Sequence, residues 1–385
     1  MNIVHARVVT IHNDQPRRDV AGAYVDAHGG NIVAHQGTYF LYGEAYGNQT
    51  LATPYPWTAW PRLAVYTSPD LVNWTYRGPV LTRSAAPGTT WIPRVFYHAP
   101  TARFILWFGQ GGWTTATSTD GIHFELARMH TSSRFGPPAG RDYGTDGTGV
   151  FVDDDGTGYV IFATNPPGFR PNPGHLVSIE RLAPDLLSSS KVNVSGFFGA
   201  PDFYVESPAL FKRKGIYYVT YGSCCCGCNE GGGIVVFTSR SIHGPWVRQA
   251  PHADVNCRNA SAPVCGGYGW RSNNDDELVF HAQWWGPSFI PVVADDGGGA
   301  NGGGGGTETA IVFVGRRWLS GPNVPEGCND ICGNAGHPEK CLDGGGKYAL
   351  RSDLSVWYPL EFDDANGGAI LPLRPLPSFE LNLPD

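Results

Sequence analysis

Gly37-Thr-Tyr-Phe-Leu-Tyr42 is a turn glycine followed by a short strand of aromatic and branched residues, and the same pattern returns four times. The later copies are Ala102-Arg-Phe-Ile-Leu-Trp107, Gly158-Tyr-Val-Ile-Phe162, Gly215-Ile-Tyr-Tyr-Val-Thr220 and Thr309-Ala-Ile-Val-Phe-Val314. The first four recur at about 55–65 residues, a period typical of repeated sheet units. The fifth follows an insertion containing Gly302 to Gly306, which reads as a flexible loop. Most copies lead into a second strand that ends in a polar turn, as in Val65-Tyr-Thr-Ser-Pro-Asp70, Ala116-Thr-Ser-Thr-Asp120 and Val235-Val-Phe-Thr-Ser239. Short polar side chains suit such turns because they bond the local backbone. The aromatic that follows each turn, Trp74, Phe124 or Trp246, starts the next strand. Helical periodicity is nearly absent, although Leu182 to Ser190 could form one turn.

Five such units predict an all-β chain folded as a five-bladed β-propeller, in which radial repetition protects the sheet edges. The expected organisation is a single domain over 1–385. Its blades fall at about 20–80, 91–130, 146–190, 202–250 and 278–320, with closing strands at 355–375. A pair of β-sandwiches is the competing architecture. Composition agrees with either: the 385 residues include 52 Gly and 31 Pro, too many breakers for helical bundles or coiled coils. Aromatics at 12% and hydrophobics at 41% are enough for a large core. Charged residues make up 16%, the net charge is -7 and no basic run occurs, which speaks against nucleic acid or an anionic membrane as partner. No apolar stretch is long enough to span a bilayer.

Nine cysteines (Cys224, Cys225, Cys226, Cys228, Cys257, Cys265, Cys328, Cys332, Cys341) and four glycosylation sequons (Asn48, Asn73, Asn193, Asn259) point to an oxidising, extracellular compartment. The first twenty residues carry Arg7, Arg17 and Arg18 without an apolar core, so no secretory signal is expected within this chain. Disulfides or free thiols are favoured over zinc, because Cys224-Cys225-Cys226-Gly227-Cys228 cannot easily turn adjacent thiols toward one tetrahedral ion. Cys328, Cys332 and Cys341 with His337 form a weaker metal candidate.

Several segments, in order along the chain, resemble glycoside hydrolase family 43, nearest its exo-β-1,3-galactanase-like branch. They are Asp26-Ala-His-Gly-Gly-Asn-Ile-Val33 with Gly37 to Glu44, Trp91-Ile-Pro-Arg-Val95, Phe151-Val-Asp-Asp-Asp-Gly156, Val205-Glu-Ser-Pro-Ala-Leu-Phe211, Gly315-Arg-Arg-Trp318 and Trp357-Tyr-Pro-Leu-Glu-Phe362. The Cys-rich turn is similar to eukaryotic, including algal, members. The resemblance implies a sugar pocket on the propeller axis and inverting hydrolysis of a glycosidic bond.

Inverting hydrolysis needs an acid for the leaving oxygen and a group that aims water at the opposite face, usually about 6.5–9.5 Å apart. Glu206, framed by Val205 and Ser207-Pro-Ala-Leu210, is the acid candidate, since an apolar frame favours the protonated form. The family's acid occupies the matching position; a strand-end Glu bonding a backbone amide is the plain alternative. The Asp that most of the family places before a Pro in the first blade is replaced by Gly29-Gly30. The galactanase branch shares that gap, and the resemblance implies a Gln from the last blade instead, here Gln283, orienting water rather than deprotonating it. Asp26 or Glu44 could take that role, and Gln283 could equally be a core amide. Asp146 lies next to the position of the family's acid-tuning carboxylate and is expected to keep Glu206 protonated.

Expected sugar-binding residues are Asp26, His28, Glu44, Trp91 and Arg317. Each has a plain alternative: a core histidine for His28, an arginine partner for Glu44, and for Arg317 a role holding the neighbours of Glu206. Galactanases carry a Glu where this chain has Trp91, which shifts recognition toward ring stacking and puts galactose specificity in question. Trp284 and Trp285 either wall the pocket or pack in the core. Asp153-Asp-Asp155 before Gly156 reads as a hairpin turn, with a structural calcium site possible but not predicted. No redox or nucleotide cofactor is implied. The expectation is a monomeric, inverting, exo-acting glycosidase on a β-1,3-galactan-like or related cell-wall glycan, with an oligo- or polysaccharide as its partner. The competing functions are an arabinofuranosidase or xylosidase of the same family and a catalytically silent, lectin-like propeller.

Overall fold

In the computed structural model each of the five repeated segments forms the second strand of its own antiparallel sheet. The structure describes residues 6–49, 62–82, 90–109, 112–134, 148–164, 176–199, 205–222, 234–249, 282–294, 306–318, 320–322, 350–371, 373 and 376–385. After β1 (Ala6–His12), the first sheet contains β2 (Ile32–His35), β3 (Thr38–Ala45), β4 (Arg62–Ser68) and β5 (Thr75–Pro79). The second contains β6 (Trp91–His98), β7 (Arg103–Gly109), β8 (Trp113–Ser118) and β9 (Glu125–Thr131). The third contains β10 (Thr148–Val152), β11 (Gly158–Thr164), β12 (Leu176–Leu182) and β13 (Ser189–Phe198). The fourth contains β14 (Glu206–Arg213), β15 (Ile216–Gly222), β16 (Ile234–Ser239) and β17 (Val247–Arg248). The fifth contains β18 (Gln283–Val293), β19 (Thr307–Arg317) and β20 (Leu354–Pro359). The hairpin β21 (Phe362–Asp363) and β22 (Ala369–Ile370) follows, and β23 (Ser378–Pro384) pairs with β1.

The second strands are continuous apolar runs because both of their faces are buried, each against a different neighbour. In β3, Leu41 packs toward Val312 and Trp357 of the fifth sheet, while Tyr42 packs toward Leu106 of the second. In β7, Trp107 meets Phe162 of the third sheet. In β11, Ile161 meets Val219 of the fourth, and in β15, Tyr218 meets Phe313 of the fifth. Five seams therefore close a ring of five sheets, the five-bladed propeller expected from the repeat. Full burial of a large apolar side chain contributes about 1.5–3 kcal/mol, so these seams dominate the stabilising side.

The Ser-x-Asp turns act as expected. Asp70 Oδ1 accepts from Val72 N at 3.0 Å and Asn73 N at 2.7 Å, and Asp120 Oδ1 repeats this with Ile122 N and His123 N. Within Leu182 to Ser190 the structure has no helix: the ends belong to β12 and β13, and the turn between them is closed by Leu186 N to Ala183 O at 2.9 Å. The Asp153 triplet is the β10–β11 hairpin turn, tied to the fourth blade by Lys212 and by Tyr217 Oη. The outer edge of β20 is covered at Trp357, whose backbone N–H and C=O both bond the Asn13 side chain. Asn48 and Asn73 are exposed, whereas Asn193 donates to Ser178 Oγ at 2.8 Å. Asn259, His337 and all nine cysteines lie outside the described residues. Among the described residues no helix is long and apolar enough to cross a membrane.

Gly43 shows how closely the first blade is built. A Cβ there would stand 2.3 Å from the Ala27 carbonyl carbon. Gly43→Ala is expected to cost at least about 2 kcal/mol, read as a lower urea midpoint at unchanged m-value.

Candidate active site

Three innermost strands begin with the same irregularity. Trp91 pairs with Gly109 and Arg94 with Trp107, Glu206 pairs with Gly222 and Ala209 with Thr220, and Trp284 pairs with Gly315 and Pro287 with Phe313. Each carries one extra residue, a bulge that bends the strand and re-aims the side chain before it. The first blade does likewise ahead of β2, where His28 bridges Glu44 while Ile32 pairs with Leu41. Left-handed backbone follows each of three aimed side chains, at Gly29 (φ 69°), Ile92 (φ 49°) and Ser207 (φ 47°). At the two non-glycine positions that conformation costs roughly 1–2 kcal/mol each. His28, Trp91 and Glu206 thus occupy equivalent places in blades one, two and four, with Gln283 beside that place in blade five.

The fourth and fifth blades meet through their side chains. Gln283 Nε2 donates to Glu206 Oε2 at 2.9 Å, and Gln283 Oε1 accepts from Trp318 Nε1 at 2.7 Å. An indole N–H only donates, so it fixes which end of the amide faces Glu206. Gln283 is buried and Glu206 half-buried. The separation expected of an inverting pair, about 6.5–9.5 Å, is absent here. The two residues start neighbouring innermost strands and stand side by side in direct contact. Behind Trp318 lies Arg316, wholly buried, its guanidinium 3.6 Å from the Trp318 ring centroid and 4.3 Å from that of Tyr46. Arg316 Nη2 pairs with Asp353 Oδ2 at 2.6 Å.

The first blade contributes a buried polar frame. Glu44 Oε1 accepts from Ile92 N at 2.8 Å, and its Oε2 accepts from Tyr46 Oη at 2.7 Å. Asp26 Oδ1 and Oδ2 accept from the Tyr46 and Gly47 amides at 2.9 and 2.6 Å. Burial raises the Glu44 carboxyl above its usual range and pushes Asp26 up to about 6. His28 Nε2 is 3.6 Å from Asp26 Oδ1, and burial holds the imidazole well below its ordinary value, hence neutral. Arg94 Nη1 donates to Gly29 O at 3.1 Å and its Nη2 to Trp285 O, joining blades one, two and five across the axis. Burial lowers the Arg94 guanidinium to about 10.

The structure therefore gathers Glu206 with Gln283, and Asp26, His28 and Glu44 with one another. Trp91 heads β6, half-buried. Arg317 pairs with Leu354, whereas its neighbour Arg316 is the one opposite Gln283. Trp284 packs on Phe313 at 5.0 Å between ring centroids, and the Trp285 ring covers Gly29, where a Cβ would stand 3.3 Å away. Asp146 lies outside the described residues. Sequence reasoning missed Arg94, Arg316, Tyr46 and Trp318, although three of the four sit inside segments already singled out. A buried cation beside carbonyls is the signal that an Arg in an otherwise apolar strand start could have given.

Asp26 carries a signed pH prediction. Its folded value, about 6, exceeds the ordinary 3.8, so the native state binds more protons between the two. The stability this group contributes is full below about 3.8 and is lost as pH rises through about 6. Asp26→Asn should flatten the fall in unfolding temperature over that interval, measured by calorimetry in steps of pH.

The family model for glycosyl hydrolases family 43 matches residues 27–267. Among curated proteins, the chain is 28% identical over 286 residues to an arabinoxylan arabinofuranohydrolase of Bacillus subtilis, covering 57% of this chain and 53% of that protein. It is 25% identical over 249 residues to a β-D-galactofuranosidase of Aspergillus niger, covering 58% and 63%. The chain thus spans little more than half the length of these relatives. Among solved structures, an exo-β-1,3-galactanase from Clostridium thermocellum superposes with a TM-score of 0.66 at 23% identity, over 97% of this chain and 67% of that one. That likeness establishes the propeller; the matched span, well over half the chain, establishes the lineage, and the chain belongs to glycosyl hydrolases family 43.

Proposed function

We propose that the protein is an inverting, exo-acting glycoside hydrolase on a β-1,3-galactan-like or related cell-wall glycan, acting outside the cell as a monomer. What supports this is that Glu206 and Gln283 start neighbouring innermost strands inside a family-43 propeller; they touch in the resting site, so an inverting reaction requires them to part as the sugar enters between them. Glu206 is the acid: it gives its proton to the leaving oxygen as the glycosidic bond breaks. Gln283 has two tasks in sequence. Before substrate enters, its N–H holds Glu206 Oε2 in place. When the leaving oxygen replaces it as the partner of Glu206, the second lone pair of Gln283 Oε1 accepts from the attacking water. Water then delivers its oxygen to the anomeric carbon, its spare proton passes to solvent, and Glu206 is reprotonated. Asp146 serves as the carboxylate that favours the protonated acid.

Asp26 and Glu44 are poor alternatives for the water-directing group. Each of their four oxygens accepts one hydrogen bond from the protein, three of them from backbone amides, which fixes both carboxylates in place within the first blade and away from the Glu206–Gln283 pair. They fix the floor under His28, and His28 and Trp91 face the sugar from the positions equivalent to Glu206. Arg317, next to Arg316 on β19, is the arginine proposed to bind a sugar hydroxyl. A second reading, an arabinofuranosidase or xylosidase, is favoured by Trp91, which offers a stacking face where galactanases present a carboxylate.

Two measurements test the assignment. Glu206→Gln should lower kcat on β-1,3-galactan oligosaccharides at least about 1,000-fold with folding intact, and the first-formed anomer released by the wild type, read by proton NMR, should be inverted. Equal rates in wild type and variant remove Glu206 as the acid, and binding without turnover by the wild type selects the lectin-like function. Gln283→Ala should lower kcat about 100-fold while KM changes little, since the amide orients water and acid rather than the resting sugar.

A further inference from the structure

The segment between β1 and β2 forms a strap over the first blade, joined by a parallel bridge from Asp19 to Trp74 and closed on itself by Arg18 opposite Tyr24. Between the strap and the sheet lies a cavity of about 400 Å³. That is at the small end of the range for ligand pockets, about 300–1,000 Å³, and fits one or two sugar units. Neither Glu206, Gln283 nor Trp91 lines it. Its border with the axial site is Asp26, whose Oδ1 faces His28 on the other side.

The walls combine three kinds of chemistry. Tyr66 and Tyr76 are cross-strand partners with ring centroids 5.1 Å apart, and Tyr76 is 50% exposed, so one ring is held by the sheet and the next presents a face. Arg351 brings a buried Nε–H that has no hydrogen-bond partner among the described residues. Asp26 brings carboxylate oxygens that retain acceptor capacity beyond the two backbone amides they bind. A buried unpaired guanidinium N–H is costly to leave unsatisfied, so its presence at a cavity wall points to an occupant with an acceptor. Donor, acceptor and ring face in one small space, with neither sign of charge dominant, match a polyhydroxylated ring: each hydroxyl both donates and accepts, and the C–H face packs on an aromatic.

We propose that this cavity is a second saccharide site, separate from the axial one, which takes a neutral pyranose unit stacked on Tyr76 and bonded by Arg351 and Asp26. The choice of ligand class rests on the glycan-handling function proposed above, but its occupancy does not depend on Glu206 being an acid. It would hold a branch or a second chain of the glycan while the axial site works on a terminus.

Free monosaccharides cannot be hydrolysed, so D-galactose, D-xylose and L-arabinose are the probes, titrated against the full chain and followed by backbone amide NMR shifts. The expected result is saturable movement of the Ala23 and Tyr76 amides by at least one of the pyranoses. The dissociation constant should be unchanged in Glu206→Gln and at least about tenfold weaker in Tyr76→Ala. Ala23→Trp, which adds bulk at an exposed lining position and leaves Tyr76, Arg351 and Asp26 in place, should weaken binding similarly and guards against a folding defect in the first variant. Shifts confined to Trp91 and Gln283, or a constant unaltered by both cavity variants, overturn the second site. Unchanged hydrolysis in Glu206→Gln, with the Tyr76 response retained, would sink only the catalytic reading.

Discussion

One buried cation decides whether the innermost strands can share an axis. Arg94 reaches from the second blade to the carbonyls of Gly29 and Trp285, in blades one and five. Those carbonyls point inward because bulges have turned the backbone out of the regular ladder, which leaves them without strand partners. A guanidinium with several N–H groups in a fixed plane is suited to bond two of them at once, and a lysine could not span them in the same way. The cost of burying that charge is visible in its pKa, which falls to about 10. Glycine at 29 follows from the same demand, since the Trp285 ring closes over it and the backbone there is left-handed. Gly29 has a packing role here whatever its consequence for catalysis. It admits an indole from blade five.

The bulges also explain why the site residues are found where they are. A regular strand would send Glu206 to one side of its blade and into a seam. The extra residue after it, with Ser207 held in the left-handed region, breaks that regular register, and the carboxyl meets Gln283 of the fifth blade. Trp91 before Ile92 and His28 before Gly29 show the same device. Function is thus placed on rigid strands at the cost of local strain, and the apolar seams on either side supply the stability that tolerates it.

The architecture was legible because a propeller blade imposes a signal on sequence that few other folds do. Its second strand is buried on both faces, so Tyr39 to Tyr42 and Val160 to Phe162 read as unbroken apolar runs at a regular spacing. The site was legible only in part. Glu206, His28, Glu44 and Gln283 are polar residues in apolar frames; Glu206 and Gln283 open strands, and His28, ahead of β2, bridges Glu44 near the end of β3. What could not be read is parity. Each bulge inserts a residue and reverses which neighbours share a face. Hence Arg316 rather than Arg317 stands opposite Gln283. The roles of Arg94 and Trp318 were hidden because their partners are remote in sequence: Arg94 bonds carbonyls of blades one and five, and Trp318 bonds Gln283 across its own blade, 35 residues away.

The fixed amide has consequences for any mechanism at this axis. Trp318 can only donate, so Gln283 must turn its oxygen to the indole and its nitrogen to Glu206. Trp318 in turn is held flat by Arg316, and Arg316 by Asp353. The chain of contacts ends in a wholly buried ion pair, and breaking that pair would leave a charge unmatched in an apolar interior. Glu206 therefore meets an N–H donor that is permanent in direction. A donor favours the carboxylate over the acid, which opposes the protonation that leaving-group catalysis requires. The resting contact and the reactive one must differ, and the simplest difference is replacement of Gln283 by the glycosidic oxygen itself. On the acid role proposed for it, Glu206 would then give up its proton only where a sugar has already taken the place of the amide.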